Sequence, residues 1–227
     1  GARVVGVDEG AGEVAAGERA TLEQVSRVAR PELLDGVELL VLSPGIPTTH
    51  PFVAAAAGRG IPVWSEIELG FRVSRAAVVA ITGSKGKSTT TALTGALLAA
   101  QGRDCVVAGN IGNPYCEVAE RLGEAGWVVL EVSSFQLETI AAFHPRVALF
   151  LGVSPDHLDR YPDLEAYAAA KLRIGMHLGG DDVLVVPPGD RWGDALARRT
   201  PARVLGFGSA WEGAGVVETG GDLVWRT

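Results

Sequence analysis

Short apolar runs rich in Val, Ile and Leu alternate with alanine-rich amphipathic stretches along most of this 227-residue chain, and that alternation leaves few folds open. A β-rich run, a helical crossover and another β-rich run together build a parallel sheet flanked by helices. The strand-like runs are Val4–Asp8, 37–43, 61–64, 76–82, 104–107, 126–131, 146–151 and 182–186. Helices are expected near 51–58, 65–74, 114–122, 163–178 and 190–199. One more, of about fifteen residues and roughly 22 Å long, is expected after residue 82. From about 203 the chain reads as short strands joined by glycine turns. The fold class is therefore α/β, with a boundary near residue 75 separating a domain at 1–75 from one at 76–227.

Composition narrows the setting. No apolar run reaches the ~18 residues a membrane span needs, and no basic segment leads into an apolar one as in a secretory leader. Cys105 and Cys116 have neither metal-ligand spacing nor a disulfide framework, which points to a reducing cytoplasm. A net charge of −7, from 20 basic and 27 acidic residues, argues against a nucleic-acid surface. A polyanion would have to be met by a local site and a metal ion. Val4–Asp8, an apolar strand ending in an acid, reads like the second strand of a Rossmann-like nucleotide-binding unit. Its first strand and glycine turn are missing, so the chain is expected to be a fragment with an incomplete N-terminal domain.

The stretch "ITGSKGKSTT" (81–90) holds two of the only three lysines, Lys85, Lys87 and Lys171, in a chain with seventeen arginines. It follows an apolar strand and opens a helix. Gly83 and Gly86 let the backbone turn its N–H groups towards one point, and the helix N-terminus adds a positive dipole end. Lys87 supplies a compact charge for β/γ-phosphate, and Ser88 a hydroxyl suited to Mg²⁺. A helix cap would account for the hydroxyls but not for G-x-x-G-K-S-T behind five apolar residues. Ile81 stands where the strict phosphate-loop pattern has its first glycine, so this is a variant P-loop.

Two more strands end in chemistry. "WVVLEVSSFQLE" runs into Glu131, which at the carboxyl end of a buried strand is placed to hold Mg²⁺ directly or through water. "VALFLGVSPDHLDRYP" empties into Asp156, His157 and Asp159. A lone histidine is more often structural, and His50, His144 and His177 are read so; flanking carboxylates shift His157 towards function. Lys171 lies on a helix that otherwise uses Arg173 for charge. Unlike a guanidinium, a lysine amine can be deprotonated in a suitable pocket and then react, as carbamylation by CO₂ requires. The resulting anion could ligate a second Mg²⁺.

In order, "SPGIP", "SEIELGFR", "ITGSKGKSTT", "GNIGNP", "EVSSFQLE", "DHLDRYP" and "AAKLRI" resemble the Mur ligase family, whose T-G-x-x-G-K-[ST]-T loop is shared with folylpolyglutamate synthases. S-S-F-Q-L-E resembles the branch that adds D-glutamate; the branch adding meso-diaminopimelate or lysine typically has S-S-H. The resemblance is strongest from 41 to 175 and fades after about 186. It implies an ATP-dependent ligase that activates UDP-N-acetylmuramoyl-L-alanine as an acyl phosphate and couples it to D-glutamate in peptidoglycan precursor synthesis. Gly83, Ser84, Lys85, Gly86, Lys87, Ser88 and Thr89 would hold ATP phosphates. Ser88 and Glu131 would serve one Mg²⁺, His157 and carbamylated Lys171 a second, with Lys87, Glu131, His157 and Lys171 as the catalytic set. Asn110 and Ser133 would face the muramoyl-alanine end, and Asp8 with Ser43, Pro44 and Gly45 the uridine-diphosphate side. A cytoplasmic monomer is expected. A further domain for the incoming amino acid follows in the family; the G-x-H-N-x-x-N lead into it is not found here, so the chain alone is expected to be inactive. Three positions depart from the family: Lys85, where Asn is frequent; Gly152, where Asn is usual; and "VPPGD" in place of an Asn-Ala-Asp-like turn. A sister ligase of Mur or folylpolyglutamate type, a non-catalytic nucleotide-binding module and a generic P-loop kinase remain the alternatives.

Overall fold

The computed structural model describes residues 3–10, 24–208, 213–219 and 222–226. They fall into two compact units, one within Gly1–Leu40 and Thr48–Val63, the other comprising Val41–Pro47 and Trp64–Thr227. In the first, β1 (Val5–Val7) and β2 (Gln24–Ser26) pair in parallel. There α1 (Pro51–Gly58) buries Phe52 and Ala56 against Leu34. This helix starts where Pro51 needs no amide partner and the His50 ring accepts the Phe52 N–H at 3.2 Å. The short strands β3 (Leu40–Leu42) and β4 (Val63–Ser65) pair with each other, each beginning in the first unit and ending in the second.

The second unit is built on an eight-stranded sheet. After α2 (Glu66–Val73) come β5 (Ala77–Thr82), α3 (Lys87–Ala100), β6 (Cys105–Gly109), α4 (Tyr115–Val118), β7 (Trp127–Glu131), α5 (Ser134–Leu137) and β8 (Val147–Phe150). Then follow α6 (Leu164–Leu172), β9 (Val183–Val186), α7 (Arg191–Ala197), β10 (Arg203–Phe207), β11 (Gly215–Thr219) and β12 (Asp222–Arg226). The spatial order is β12-β11-β10-β9-β8-β5-β7-β6, parallel throughout except β12 against β11. Parallel neighbours cannot be joined by a tight hairpin, so helices lie between successive strands from β5 to β10. The α/β architecture expected from the alternation is present.

Burial follows the pleat. In β5, Val78 and Ala80 join Val128 and Leu130 in one core, while Val79 and Ile81 join Val129 in another, against which Leu98 of α3 packs. Both faces are dry, which is why these strands read as continuous apolar runs rather than alternating ones. Some elements differ from expectation. The helix expected over 114–122 is only the single turn of α4, and that over 163–178 ends at Leu172 in a 3-10 turn, Arg173–Gly175. There the Arg173 guanidinium donates to Leu137 O at 2.7 Å, at the end of α5, and to Ile140 O at 2.8 Å just beyond it.

Glu68 anchors α2 from inside. It is fully buried, yet the amides of Ala141, Ala142 and Phe143 each donate to it at 2.9 Å and Arg72 Nε at 2.7 Å. Burial alone would raise its carboxyl; the three N–H groups and the guanidinium outweigh it and hold the group below the usual glutamate range. Replacing this anion by an amide turns an NH₂ against those donors, so Glu68→Gln is expected to cost on the order of 3 kcal/mol at pH 7, measured by urea denaturation. The contribution is complete above about pH 4.3 and is lost as pH falls through the lower folded value, so the gap between wild type and Glu68→Gln should close in acid.

Candidate active site

In the order β8–β5–β7, the strand before the glycine loop lies between the other two. The loop after β5, the acid that ends β7 and the loop after β8 therefore emerge side by side at the carboxyl edge of the sheet. Gly83 and Gly86 have φ of +155° and +79°. A Cβ on Gly83 would lie 2.7 Å from that of Leu151, so the packing of the two loops demands glycine as firmly as the dihedral does. The first helical bond of α3 runs from Thr90 N–H to Gly86 O at 3.0 Å, leaving the amides of the preceding turn without helical partners. Lys87 is half-buried with Nζ 3.2 Å from Ser84 O, while Ser88 and Thr89 are exposed on the first turn. Lys85 projects outward, 3.9 Å from Asp156 Oδ2.

Ser84 is turned inward and fixes the loop. Its Oγ bonds Ser154 O at 2.9 Å and the Tyr167 hydroxyl at 3.3 Å, and its N–H donates to Gly152 O at 3.0 Å. Lys171 reaches the same loop from α6: Nζ donates to Gly83 O at 2.9 Å and lies 4.6 Å from the centre of the Tyr167 ring. It is 1% exposed. Burial, reinforced by the Lys87 charge and only partly offset by Asp156 and Glu131, pushes its amine down to about 7.

Glu131 is buried at the end of β7. Asn110 donates its side-chain amide to Oε1 at 2.9 Å, but Oε2 has no hydrogen-bond partner among the described residues. A buried carboxylate oxygen with nothing to accept is a costly arrangement that a cation would relieve. Among the described residues no three His, Cys, Asp or Glu side chains gather into a metal cluster. His157 sits at φ +51°, its ring edge-on to Phe135 at 5.0 Å and to Tyr167 at 5.9 Å, with Nε2 4.0 Å from Asp156 Oδ2.

Residues 81–218 match the Mur ligase middle domain. The chain belongs to the Mur ligase family. It is 47% identical over 200 residues to the UDP-N-acetylmuramoylalanine–D-glutamate ligase of Anaeromyxobacter dehalogenans, a match covering 85% of this chain and 43% of that protein. To the ligase of the same description from Syntrophotalea carbinolica it is 44% identical over 197 residues, 86% of this chain and 43% of that one. The chain thus spans less than half the length of these curated relatives. Its fold is that of the crystal structure of UDP-N-acetylmuramate:L-alanyl-gamma-D-glutamyl-meso-diaminopimelate ligase from Neisseria meningitides, with a TM-score of 0.59 at 18% identity, over 98% of this chain and 76% of that one.

Within this Mur ligase domain the expected residues do not all stand alike. Gly83–Thr89, Glu131 and Lys171 share one neighbourhood, as the Lys171 contacts and charges require. Asn110 is engaged with Glu131, through its side chain and through its N–H to Glu131 O at 2.8 Å. Ser133 caps α5, its Oγ accepting the Gln136 N–H while the Gln136 side chain accepts from the Ser133 N–H. S-x-x-Q is a capping-box signal legible in the sequence, and it would have revealed this unread turn of helix. Asp8 lies in the first unit and accepts from Gly10 N–H and Arg27. Ser43–Gly45 belongs to the second unit, where Pro44 O accepts from Arg160 at 3.0 Å.

Gly152 and the acid of "VPPGD" meet each other in space. Gly152 has φ +95°, and a Cβ there would lie 3.1 Å from Asp190 Oδ2. Asp190, the acid of "VPPGD", accepts from Val153 N–H at 3.2 Å and caps α7 through the Trp192 and Gly193 amides. Its carboxylate thus braces the loop that in turn holds Ser84. An open cleft of about 250 Å³ beside the P-loop is lined by Ser84, Lys85, Gly152 and Asp190 among others. A larger one of about 310 Å³, at Val73, Arg75 and Ala119–Gly123, holds none of the expected site residues. Tyr167 was missed from the sequence, although it precedes Lys171 by four residues and so shares its helix face.

Lys87→Ala removes the charge that the sequence pattern assigns to phosphate, where each charged hydrogen bond would be worth roughly 1.5–3 kcal/mol. Calorimetric titration is expected to show Mg²⁺-ATP binding weakened by about tenfold or more, with the melting temperature held within about 2 °C because the lysine's packing role is small.

Proposed function

We propose that this domain works in an ATP-dependent ligase that adds D-glutamate to UDP-N-acetylmuramoyl-L-alanine in cytoplasmic peptidoglycan precursor synthesis, acting as a monomer. The observation that carries the reading is the buried amine of Lys171, bonded to the phosphate loop at Gly83 O beside the Glu131 carboxylate, one oxygen of which has no partner among the described residues. A nucleotide switch or generic kinase gives that lysine nothing to do. The choice of D-glutamate is supported by S-S-F-Q at Ser133–Gln136 and by the relatives at 47% and 44% identity.

In this reading a carboxylate oxygen of the substrate's alanine attacks the γ-phosphorus, and ADP leaves. The amine of D-glutamate then attacks the acyl carbon, phosphate departs and the nitrogen loses a proton. The amides of Gly83–Thr89 orient the triphosphate, and Lys87 offsets charge on the transferring group. Ser88 and Glu131 would hold one Mg²⁺, and His157 with Lys171 as its carbamate a second; the ions would screen repulsion between two anionic substrates and polarise the phosphoryl group. The carbamate forms when the neutral Nζ bonds the carbon of CO₂ and releases a proton, which the lowered basicity of Lys171 favours. The Ser43–Pro44–Gly45 loop would meet the uridine diphosphate, and Asn110 and Ser133 the muramoyl-alanine.

The test is a chimera in which this chain replaces its counterpart in the Anaeromyxobacter ligase. It is expected to form one ADP per UDP-N-acetylmuramoyl-L-alanyl-D-glutamate and to refuse UDP-N-acetylmuramoyl-L-alanyl-D-glutamate as the acceptor. Binding without turnover, or a preference for the longer acceptor, would overturn the reading. Lys171→Arg keeps charge and length but cannot be carbamylated, so it should be as inactive as Lys171→Ala, and short carboxylic acids should restore part of the rate to Lys171→Ala alone.

A further inference from the structure

We propose that Arg160 is a positioning residue that holds the Ser43–Pro44–Gly45 loop in register with the loop carrying His157. The inference rests on the reading above, in which the first loop meets the uridine-diphosphate end of the substrate and the second its phosphoryl end. Both loops belong to the second unit. Arg160 donates through Nη1 to Pro44 O at 3.0 Å and through Nη2 to Ile46 O at 3.4 Å and Glu138 Oε2 at 3.1 Å. Both members of that ion pair are only 15% exposed. The Tyr161 hydroxyl donates to the other Glu138 oxygen, so the carboxylate is fixed from two sides. The guanidinium lies 4.0 Å from the centre of the Phe135 ring, which also meets His157, edge-on at 5.0 Å, and Tyr161, stacked at 5.9 Å.

The guanidinium is suited to this place because it is planar. Its edge meets two carbonyls and a carboxylate while its face stacks on an aromatic ring, a combination a point-charge ammonium cannot reproduce. The coupling to His157 is short: the Arg160 N–H donates to His157 O at 3.1 Å, closing the turn that carries the imidazole. On the other side, the Pro44 and Ile46 carbonyls flank Gly45 in a turn closed by Ile46 N–H to Ser43 O at 3.0 Å. The arrangement also gives Phe135 a role. A histidine at that place, once protonated, would repel the guanidinium stacked on it.

The proposal is tested on the 227-residue chain by amide hydrogen exchange and calorimetry. In Arg160→Ala the Ile46 amide is expected to exchange about tenfold faster or more, while amides of α3 keep their rates. Affinity for UDP-N-acetylmuramoyl-L-alanine should fall by about tenfold, with affinity for a Mg²⁺-ATP analogue alone within about twofold of wild type. Arg160→Lys should resemble Arg160→Ala; full recovery by lysine would reduce the role to charge balance and overturn the proposal. Unchanged Ile46 exchange, or an equal loss of both affinities, would overturn it as well. Should Arg160→Ala fail to fold, Phe135→Leu, which keeps apolar volume and removes the stacking face, is expected to accelerate Ile46 exchange in the same direction, and no change there would be equally fatal. Turnover of the chimera tests the functional reading separately, and Ile46 exchange decides the positioning role whichever way that test falls.

Discussion

Parallel pairing of β5 with β7 on one side and β8 on the other sets the geometry on which the site depends. Ile81 is in register with both Glu131 and Leu149, so the P-loop begins level with the end of β7 and with the start of the loop after β8. Leu151 N–H continues the ladder to Thr82 O at 2.8 Å, and Val132 N–H does so to Ile81 O at 2.9 Å. Leu151 then fills the space beneath Gly83, and Ser84 bonds across to Ser154. The phosphate loop is therefore supported from outside itself. A backbone cradle for an anion works only if its N–H groups already point the right way before the ligand arrives, and here neighbouring strands supply that rigidity.

Buried charges in the second unit fall into two kinds, and the difference separates structure from chemistry. Glu68 meets three backbone amides and Arg72, and Asp182 meets His144, Arg146 and the Gly179 N–H. Both carboxylates are held below their usual range by those partners, although Asp182 Oδ1, facing the Arg146 guanidinium at 3.0 Å, has no hydrogen bond among the described residues. Glu131 has only the Asn110 amide for one oxygen and no partner for the other among the described residues, and Lys171 has its amine forced towards neutrality. Leaving such groups incompletely satisfied destabilises the fold. In the proposed function a cation and an anionic nucleotide would remove that penalty on binding.

The loops show how much a local reading can lose. "VPPGD" offers no motif, yet Asp190 braces Val153 and caps α7 where a side chain at position 152 would otherwise come close. Gly152 and Asp190 are thus one feature split between two stretches of sequence. Glu138, Arg160 and Tyr161 carry no role of their own in "EVSSFQLE" and "DHLDRYP", and only their contacts show that they form one largely buried assembly with Phe135. Pattern reading finds periodicity and fixed spacing; it has no access to partners chosen by the fold.

The sequence by itself determined the alternation of strands and helices, the glycine–lysine loop at 81–90, and the acids and histidine that end β7 and follow β8. Those are local properties, written in the spacing of apolar residues and in the backbone freedom of Gly83 and Gly86. It also marked Lys171 as unusual, through the scarcity of lysine elsewhere. Only the tertiary structure decided that this amine would be buried against Gly83, 88 residues away, and that Arg160 would grip Pro44 across 116 residues. The reason is physical: helix and strand form by short-range rules, whereas burial, desolvation and pairing of charge depend on which distant segments the parallel sheet brings to one edge.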